Sequence, residues 1–130
     1  MTQTIKKGVK TLLAEAQDGL PVVTAEEAIE LVGRDDHVFV DVRDGIEQAK
    51  TGVIPGAVLS SRGMLEFHLD PDSPAHKPEL SGDKIFIFYC ASGGRSALAA
   101  KAASEMGFGP IVNLTGGIIA WKKAGGPLSQ

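Results

Sequence analysis

The 130 residues suit a single domain, and 13 Lys and Arg against 16 Asp and Glu leave a formal net charge of −3 with no basic block, which argues against a nucleic-acid partner. With 43% apolar and 22% charged residues, and no apolar run near the roughly 18 residues that span a bilayer, the composition is that of a soluble globular protein with no membrane partner. One cysteine, Cys90, excludes an internal disulfide, a C-x-x-C redox pair and a multi-thiolate zinc site, and His37, His68 and His76 lack metal-ligand spacing, so neither metal nor cofactor is expected.

From the start of the chain, IKKGVKTLLAEA sets apolar residues at 5, 9, 12, 13 and 16, which predicts a short helix over 5–17 with Gly8 weakening its start. The stretch has early lysines but neither a continuous apolar core nor a small-residue cleavage site, so it does not read as a secretory signal, and a cytoplasmic location is the expectation. Residues 1–20 are read as a helical extension and 21–130 as the domain proper. In PVVTAEEAIELVG, Val22 and Val23 predict a strand stub, Thr24 with Glu27 a capping box, and Gly33 a helix stop. HVFVDVRDGIEQAKTG repeats the pattern: an apolar run over 38–42, Asp44 as N-cap with Glu47 three residues on, and Gly52 as the stop.

IPGAVLSS predicts a short strand after a Pro-Gly turn, KIFIFYC a buried one, and PIVNL another after the helix RSALAAKAASEMG. A turn at Gly116 and Gly117 leads into a last helix through Trp121, whose indole is assigned to packing. Strands alternating with helices imply right-handed crossovers: an α/β fold with a mostly parallel sheet of about five strands and helices on both faces. The irregular stretch 60–84 contains GMLEF as a candidate helical turn and a Pro-rich remainder longer than a usual loop, read as a lid in preference to disorder.

YCASGGRS carries the chemistry. In open α/β sheets ligands bind beyond the carboxyl ends of the strands, and Cys90 stands at that edge of IFIFY. Ala91, Ser92, Gly93 and Gly94 are small enough for the backbone to curl and turn several N–H groups inward, which makes an anion nest. A helix opening near Ser96 adds free N–H groups and a partial positive charge, and Arg95 adds a full one. A thiol there should fall from about 8.5 toward the range of roughly 3.5–7.5 known for thiols at helix N-termini and beside cations. The competing reading is an inert buried cysteine before an ordinary Gly-Gly turn. Asp41, Arg43 and Glu47 end a strand and open a helix at the same edge, where Arg43, Arg95 and the carboxylates are expected to pair and hold the loop. Arg62, just after the strand around Val58, is a candidate for binding a donor's sulfonate. His68, Asp70 and Asp72 are candidate general acids for a phosphatase, with solvated loop positions as the preferred reading.

Three blocks, DVRDGIEQAKTGVIPGA, CASGGRS and NLTGGIIAWKKAGGP, together resemble the rhodanese sulfurtransferase family in its single-domain bacterial form, over about Val22 to Pro127. The resemblance implies that Cys90 takes a sulfane sulfur from a donor such as thiosulfate, carries it as a persulfide, and passes it to cyanide or a thiol. The amides of residues 91–96 would stabilise the anionic sulfur, with Ser96 adding a hydroxyl. Phosphatase and arsenate-reductase relatives use a loop one residue longer, so the four residues between Cys90 and Arg95 point to sulfur. The loop contains no Lys or Arg, unlike several thiosulfate-preferring members. Two alternatives stay open: a persulfide carrier or interaction module working with a protein donor or acceptor, and a phosphatase or arsenate-reductase-like enzyme.

Overall fold

Ile85–Tyr89 is β-branched and aromatic throughout, a composition that fits a strand covered on both faces. In the computed structural model, which describes residues 2–130, this segment is β4 at the centre of a parallel sheet. The other strands are β1 (Val22–Val23), β2 (His37–Asp41), β3 (Val58–Leu59) and β5 (Ile111–Leu114), in the order β1-β5-β4-β2-β3. The helices are α1 (Val9–Gln17), α2 (Ala25–Ile29), α3 (Gly45–Thr51), α4 (Leu65–Leu69), α5 (Gly94–Glu105) and α6 (Gly117–Lys123). Register pairs Asp41 with Tyr89 and Phe88 with Asn113, which brings the ends of β2, β4 and β5 to one edge.

Successive side chains of β4 alternate between two cores. Phe86, Phe88 and Cys90 pack with Leu65 and Leu69 of α4 and Ala99, Ala100 and Ala103 of α5. Ile87 and Tyr89 pack on the other face with Ala25 and Ala28 of α2 and Ile118 and Trp121 of α6. Trp121 is fully buried, meets Phe39 edge-on at 5.5 Å and donates from Nε1 to the Pro127 carbonyl at 2.8 Å. Among the described residues no helix is long and apolar enough to cross a membrane.

Two local expectations shift. The first helix begins at Val9, behind Gly8, which has no side chain to cap it, and Ile5 stays exposed. α1 packs along α5, with Leu13 3.5 Å from where a Cβ on Gly94 would sit. α2 ends at Ile29; the bonds that follow, Leu31 N–H to Ala28 O and Arg34 N–H to Leu31 O, span three residues and tighten the chain into turns up to Gly33, which has φ +82°. Arg62–Met64 forms a 3₁₀ turn leading into α4, so GMLEF is helical as expected. The remainder of 60–84 is tied down by buried Leu80 and by bonds from His76 Nδ1 and the Lys77 N–H to the His68 carbonyl at 2.9 Å each. This is an anchored segment, and the disorder alternative does not hold for it.

Candidate active site

The apolar run of β4 stops at Tyr89, and the chain then turns through Ala91–Gly93 into α5. Gly93 has φ +107°, which L side chains rarely adopt, and it caps α5 from there. The turn points backbone donors at one atom: the Gly93 N–H reaches Cys90 Sγ at 3.1 Å and the Ser96 N–H at 3.4 Å. The outer side of the loop is held from α6, where the Ile118 N–H bonds the Cys90 carbonyl at 2.9 Å and the Ile119 N–H bonds the Ala91 carbonyl at 3.2 Å. Those bonds turn the carbonyls out and leave the amides facing in. Gly117 makes this approach possible: at φ +57°, a Cβ would lie 2.5 Å from both carbonyl oxygens.

Cys90 retains 1% of its surface. Burial alone pushes the thiol up, but hydrogen bonds from the Ser96 hydroxyl and amide and from the Gly93 and Ser92 amides outweigh it, so the net direction is down from the ordinary value. Cys90 therefore joins both sequence readings: packed in a core cluster, and aimed into an anion-stabilising loop.

Two Arg-carboxylate pairs flank the loop. Arg43 and Asp41 are 1% and 0% exposed. Arg43 donates from Nε and Nη2 to Asp41, at 3.1 and 2.8 Å, from Nη2 to the Gly52 carbonyl at 2.8 Å, and from Nη1 to Thr51 Oγ1 at 2.7 Å. The guanidinium sits 5.8 Å from the Tyr89 ring centroid, and the Tyr89 hydroxyl accepts from the Ile54 N–H at 3.1 Å. Burial drives the Tyr89 phenol far up, so it stays protonated. This buried brace ties the end of β2 to the end of α3. The second pair is nearer the surface: Arg95 Nη1 and Nη2 bond the two Glu47 oxygens at 2.7 and 2.8 Å. The Arg95 guanidinium holds Glu47 at about 2, well below its ordinary 4.5, and the same bond raises Arg95. Asp44 caps α3 as expected, accepting from the Glu47 N–H at 3.1 Å.

The structure thus gathers Cys90, Ala91–Ser96, Asp41, Arg43 and Glu47 at one edge. Arg62 is not gathered there: its guanidinium bonds Glu66 at 2.9 Å and lines a hollow with Leu12, Leu98 and Lys101 along the flank of α5. His68 Nδ1 pairs with Ser60 Oγ at 2.8 Å, and burial with nearby Lys77 lowers its pKa, while Asp70 accepts the Asp72 N–H at 2.9 Å in a local turn. Two contributors were missed in the sequence. One is Gly117, seen there only as a turn. The other is Asn113, a buried polar residue in apolar IVNL, which bonds both the Gly93 carbonyl and Ser96 Oγ. Its isolation among apolar neighbours was the available signal.

The rhodanese-like domain family matches residues 24–124. A sulfurtransferase of Allochromatium vinosum is 37% identical over 98 residues, covering 75% of this chain and 83% of the relative. A solved structure from Rhodopseudomonas palustris, of unknown function and described as a possible tyrosine phosphatase, superposes with TM-score 0.94 at 49% identity over 99% of each chain. A rhodanese-like domain protein from Staphylococcus aureus gives TM-score 0.68 at 27% identity, over 85% of this chain and all of that one. With a parallel five-stranded sheet that ends in a cysteine loop, and a family match spanning most of its length, this chain belongs to the rhodanese-like family, among sulfurtransferases.

Proposed function

We propose that the protein moves a sulfane sulfur from a small donor such as thiosulfate to a thiophilic acceptor, cyanide or a thiol, through a persulfide on Cys90. The observation that carries this reading is the convergence of the Gly93 and Ser96 amides on Cys90 Sγ itself. The Cys90 thiolate attacks the outer sulfur of thiosulfate; a new S–S bond forms, the donor's S–S bond breaks, and sulfite leaves with the bonding electron pair. The acceptor then attacks the outer persulfide sulfur, and Cys90 departs as thiolate with that S–S pair. The amides are already oriented for a negative sulfur at each stage, so little reorganisation accompanies charge development. A thiol with 1% of its surface exposed suits a donor that presents one protruding sulfur.

The phosphatase alternative requires a free guanidinium and a loop wide enough for a phosphate. Arg95 is instead bound bidentately by Glu47, and the loop amides already close on a single sulfur atom. A specific feature favours a protein-borne donor or acceptor as the second reading: the hollow beside the loop is lined by Ser92, Gly93, Gly94 and Asn113, with Gln17 and Thr115, and carries no cationic side chain for a sulfonate.

Purified protein and Cys90→Ser are incubated with thiosulfate, then 3-mercaptopyruvate, and intact masses are recorded without reductant. The expected result is gain of one sulfur atom by the wild type alone, removed by added thiol. A folded wild type that loads from neither small donor, yet accepts sulfur from a persulfidated protein, would replace small-molecule turnover with the carrier reading. Phosphate-ester hydrolysis lost in Cys90→Ser would instead establish the phosphatase.

A further inference from the structure

The chain before β1 closes one side of the cysteine loop. α1 ends at Gln17, whose carbonyl accepts the Leu20 N–H at 3.1 Å. The segment is then laid along β5, where the Asn113 N–H bonds the Pro21 carbonyl and the Thr115 N–H bonds the Val23 carbonyl, at 2.9 Å each. Between that segment, the loop and the end of β5 lies a hollow of about 340 Å³, at the small end of the range for small-molecule sites. Gly93 belongs to both features: its N–H is on Cys90 Sγ at 3.1 Å, and the residue forms part of the wall. No charged side chain lines the hollow. Arg95, the one charge on the loop, turns instead to Glu47 of α3. Gln17, Ser92 and Thr115 bring an amide and two hydroxyls from three separate segments, all exposed and without a side-chain hydrogen bond among the described residues. Leu20 and Val22 bring apolar surface.

These groups define a class of ligand. An anionic body placed here loses water and gains no cation, which is unfavourable. An amide finds both donors and acceptors in Gln17 and the hydroxyls, and short methylene groups find Leu20 and Val22. We propose that the hollow receives the sulfur acceptor, that the acceptor is a small uncharged thiol bearing an amide, and that Gln17 is a specificity-determining residue supplied from outside the loop. The thiol, ionised by loss of its proton to solvent, enters past Gly93 and attacks the outer sulfur of the Cys90 persulfide. A new S–S bond forms to that sulfur, the bond from Cys90 breaks with the electron pair left on Cys90, and the acceptor leaves as a persulfide. Its amide-bearing body rests between Gln17 and Thr115 throughout. The inference rests on the persulfide reading of Cys90 and adds to it the class of thiol.

Steady-state turnover with thiosulfate as donor is followed against the concentration of N-acetylcysteamine, which carries an amide, and of 2-mercaptoethanesulfonate, which carries an anion, for the wild type, Gln17→Ala, Gln17→Lys and Ile46→Lys. Gln17→Ala should raise KM for N-acetylcysteamine about two- to tenfold, the worth of one neutral hydrogen bond, with kcat and the sulfonate's KM unchanged. Gln17→Lys should move the preference toward the sulfonate about two- to fivefold, the scale of an exposed ion pair. Ile46→Lys sets the same charge on the exposed start of α3, outside the hollow, and should move it less. The pH midpoint of Cys90 alkylation by iodoacetamide should stay in place in Gln17→Ala, which separates lost binding from a disturbed loop. An unchanged KM or a moved midpoint in Gln17→Ala, or an equal change of preference in the two lysine variants, overturns the proposal. A parallel arm needs no sulfur loading: methanethiosulfonates transfer the same two bodies to the Cys90 thiolate, forming a mixed disulfide while methanesulfinate leaves with the electron pair of the broken bond. The ratio of 2-acetamidoethyl to 2-sulfonatoethyl rates should fall by the same factors in Gln17→Ala and Gln17→Lys. Ratios that fall as expected in a protein that does not load sulfur would remove only the persulfide reading; normal loading with neither KM nor ratio changed would remove only the role of the hollow.

Discussion

The two arginine-carboxylate pairs beside the loop use the same chemistry in different surroundings, and the surroundings decide what each does. Asp41 and Arg43 lie within two residues of each other and are fully buried, with the guanidinium spread over Asp41, Thr51 and the Gly52 carbonyl. Glu47 and Arg95 are 48 residues apart, keep side-chain exposures of 31% and 44%, and their side chains bond each other alone among the described residues. In the first pair, removing one partner strands a charge where water cannot reach it. In the second, solvent replaces the lost partner. The buried pair therefore braces the scaffold on which the loop stands, while the outer pair adjusts the charge at its rim.

The largest test of that contrast is Arg43→Ala, expected to cost about 3–5 kcal/mol by leaving Asp41 uncompensated, read as a fall in the urea midpoint. Arg43→Lys should recover little of it, because a compact ammonium cannot meet Asp41, Thr51 and Gly52 in one plane. A loss below about 1 kcal/mol in Arg43→Ala would mean that water reaches Asp41 and that the two pairs are alike. Next in size is Gly117→Ala, expected to cost about 1–3 kcal/mol through the positive φ and the approach to the Cys90 and Ala91 carbonyls, and to slow Cys90 alkylation more than any change at the outer pair.

Arg95→Gln should cost under about 1 kcal/mol, with the loss shrinking as salt is added. Glu47→Gln should leave stability similarly close to wild type but release the Arg95 charge toward the thiolate, lowering the alkylation midpoint of Cys90 by a few tenths of a pH unit, roughly the scale of a partly screened charge. A rise instead would show that Glu47 chiefly holds Arg95 in position. The smallest effect is in acid. Glu47 is depressed from 4.5 to about 2 by Arg95, so its contribution is present in full above the unfolded value and is lost as pH falls through the folded one. The stability difference between wild type and Glu47→Gln should hold above about pH 5 and close toward pH 2; urea midpoints across that window measure it.

Much of this was legible along the chain. The apolar runs of β2, β4 and β5 located the sheet, the Thr24 and Glu27 box opened α2 with both of its bonds formed, and Asp44 capped α3. Those signals are local: a period, a cap, a turn residue. The cysteine loop was legible for the same reason, since strand, small residues, arginine and helix follow one another without interruption. Where expectation and structure part, the deciding contacts are short-range too, but they compete with the period and cap signals and no sequence pattern ranks one above the other. α2 stops at Ile29, where bonds spanning three residues take over, and Arg62 turns to Glu66 along the flank of α5.

The order of residues by itself determined an α/β sheet with Cys90 at its carboxyl edge, because hydrophobic period and backbone conformation act over a few neighbours. Tertiary structure decided which groups meet at that edge. Asn113 reaches Ser96 across 17 positions, Glu47 reaches Arg95 across 48, and the amides of Ile118 and Ile119 hold the carbonyls of Cys90 and Ala91. Such contacts depend on sheet order and on α6 closing beside β4, which bring distant segments within hydrogen-bond range.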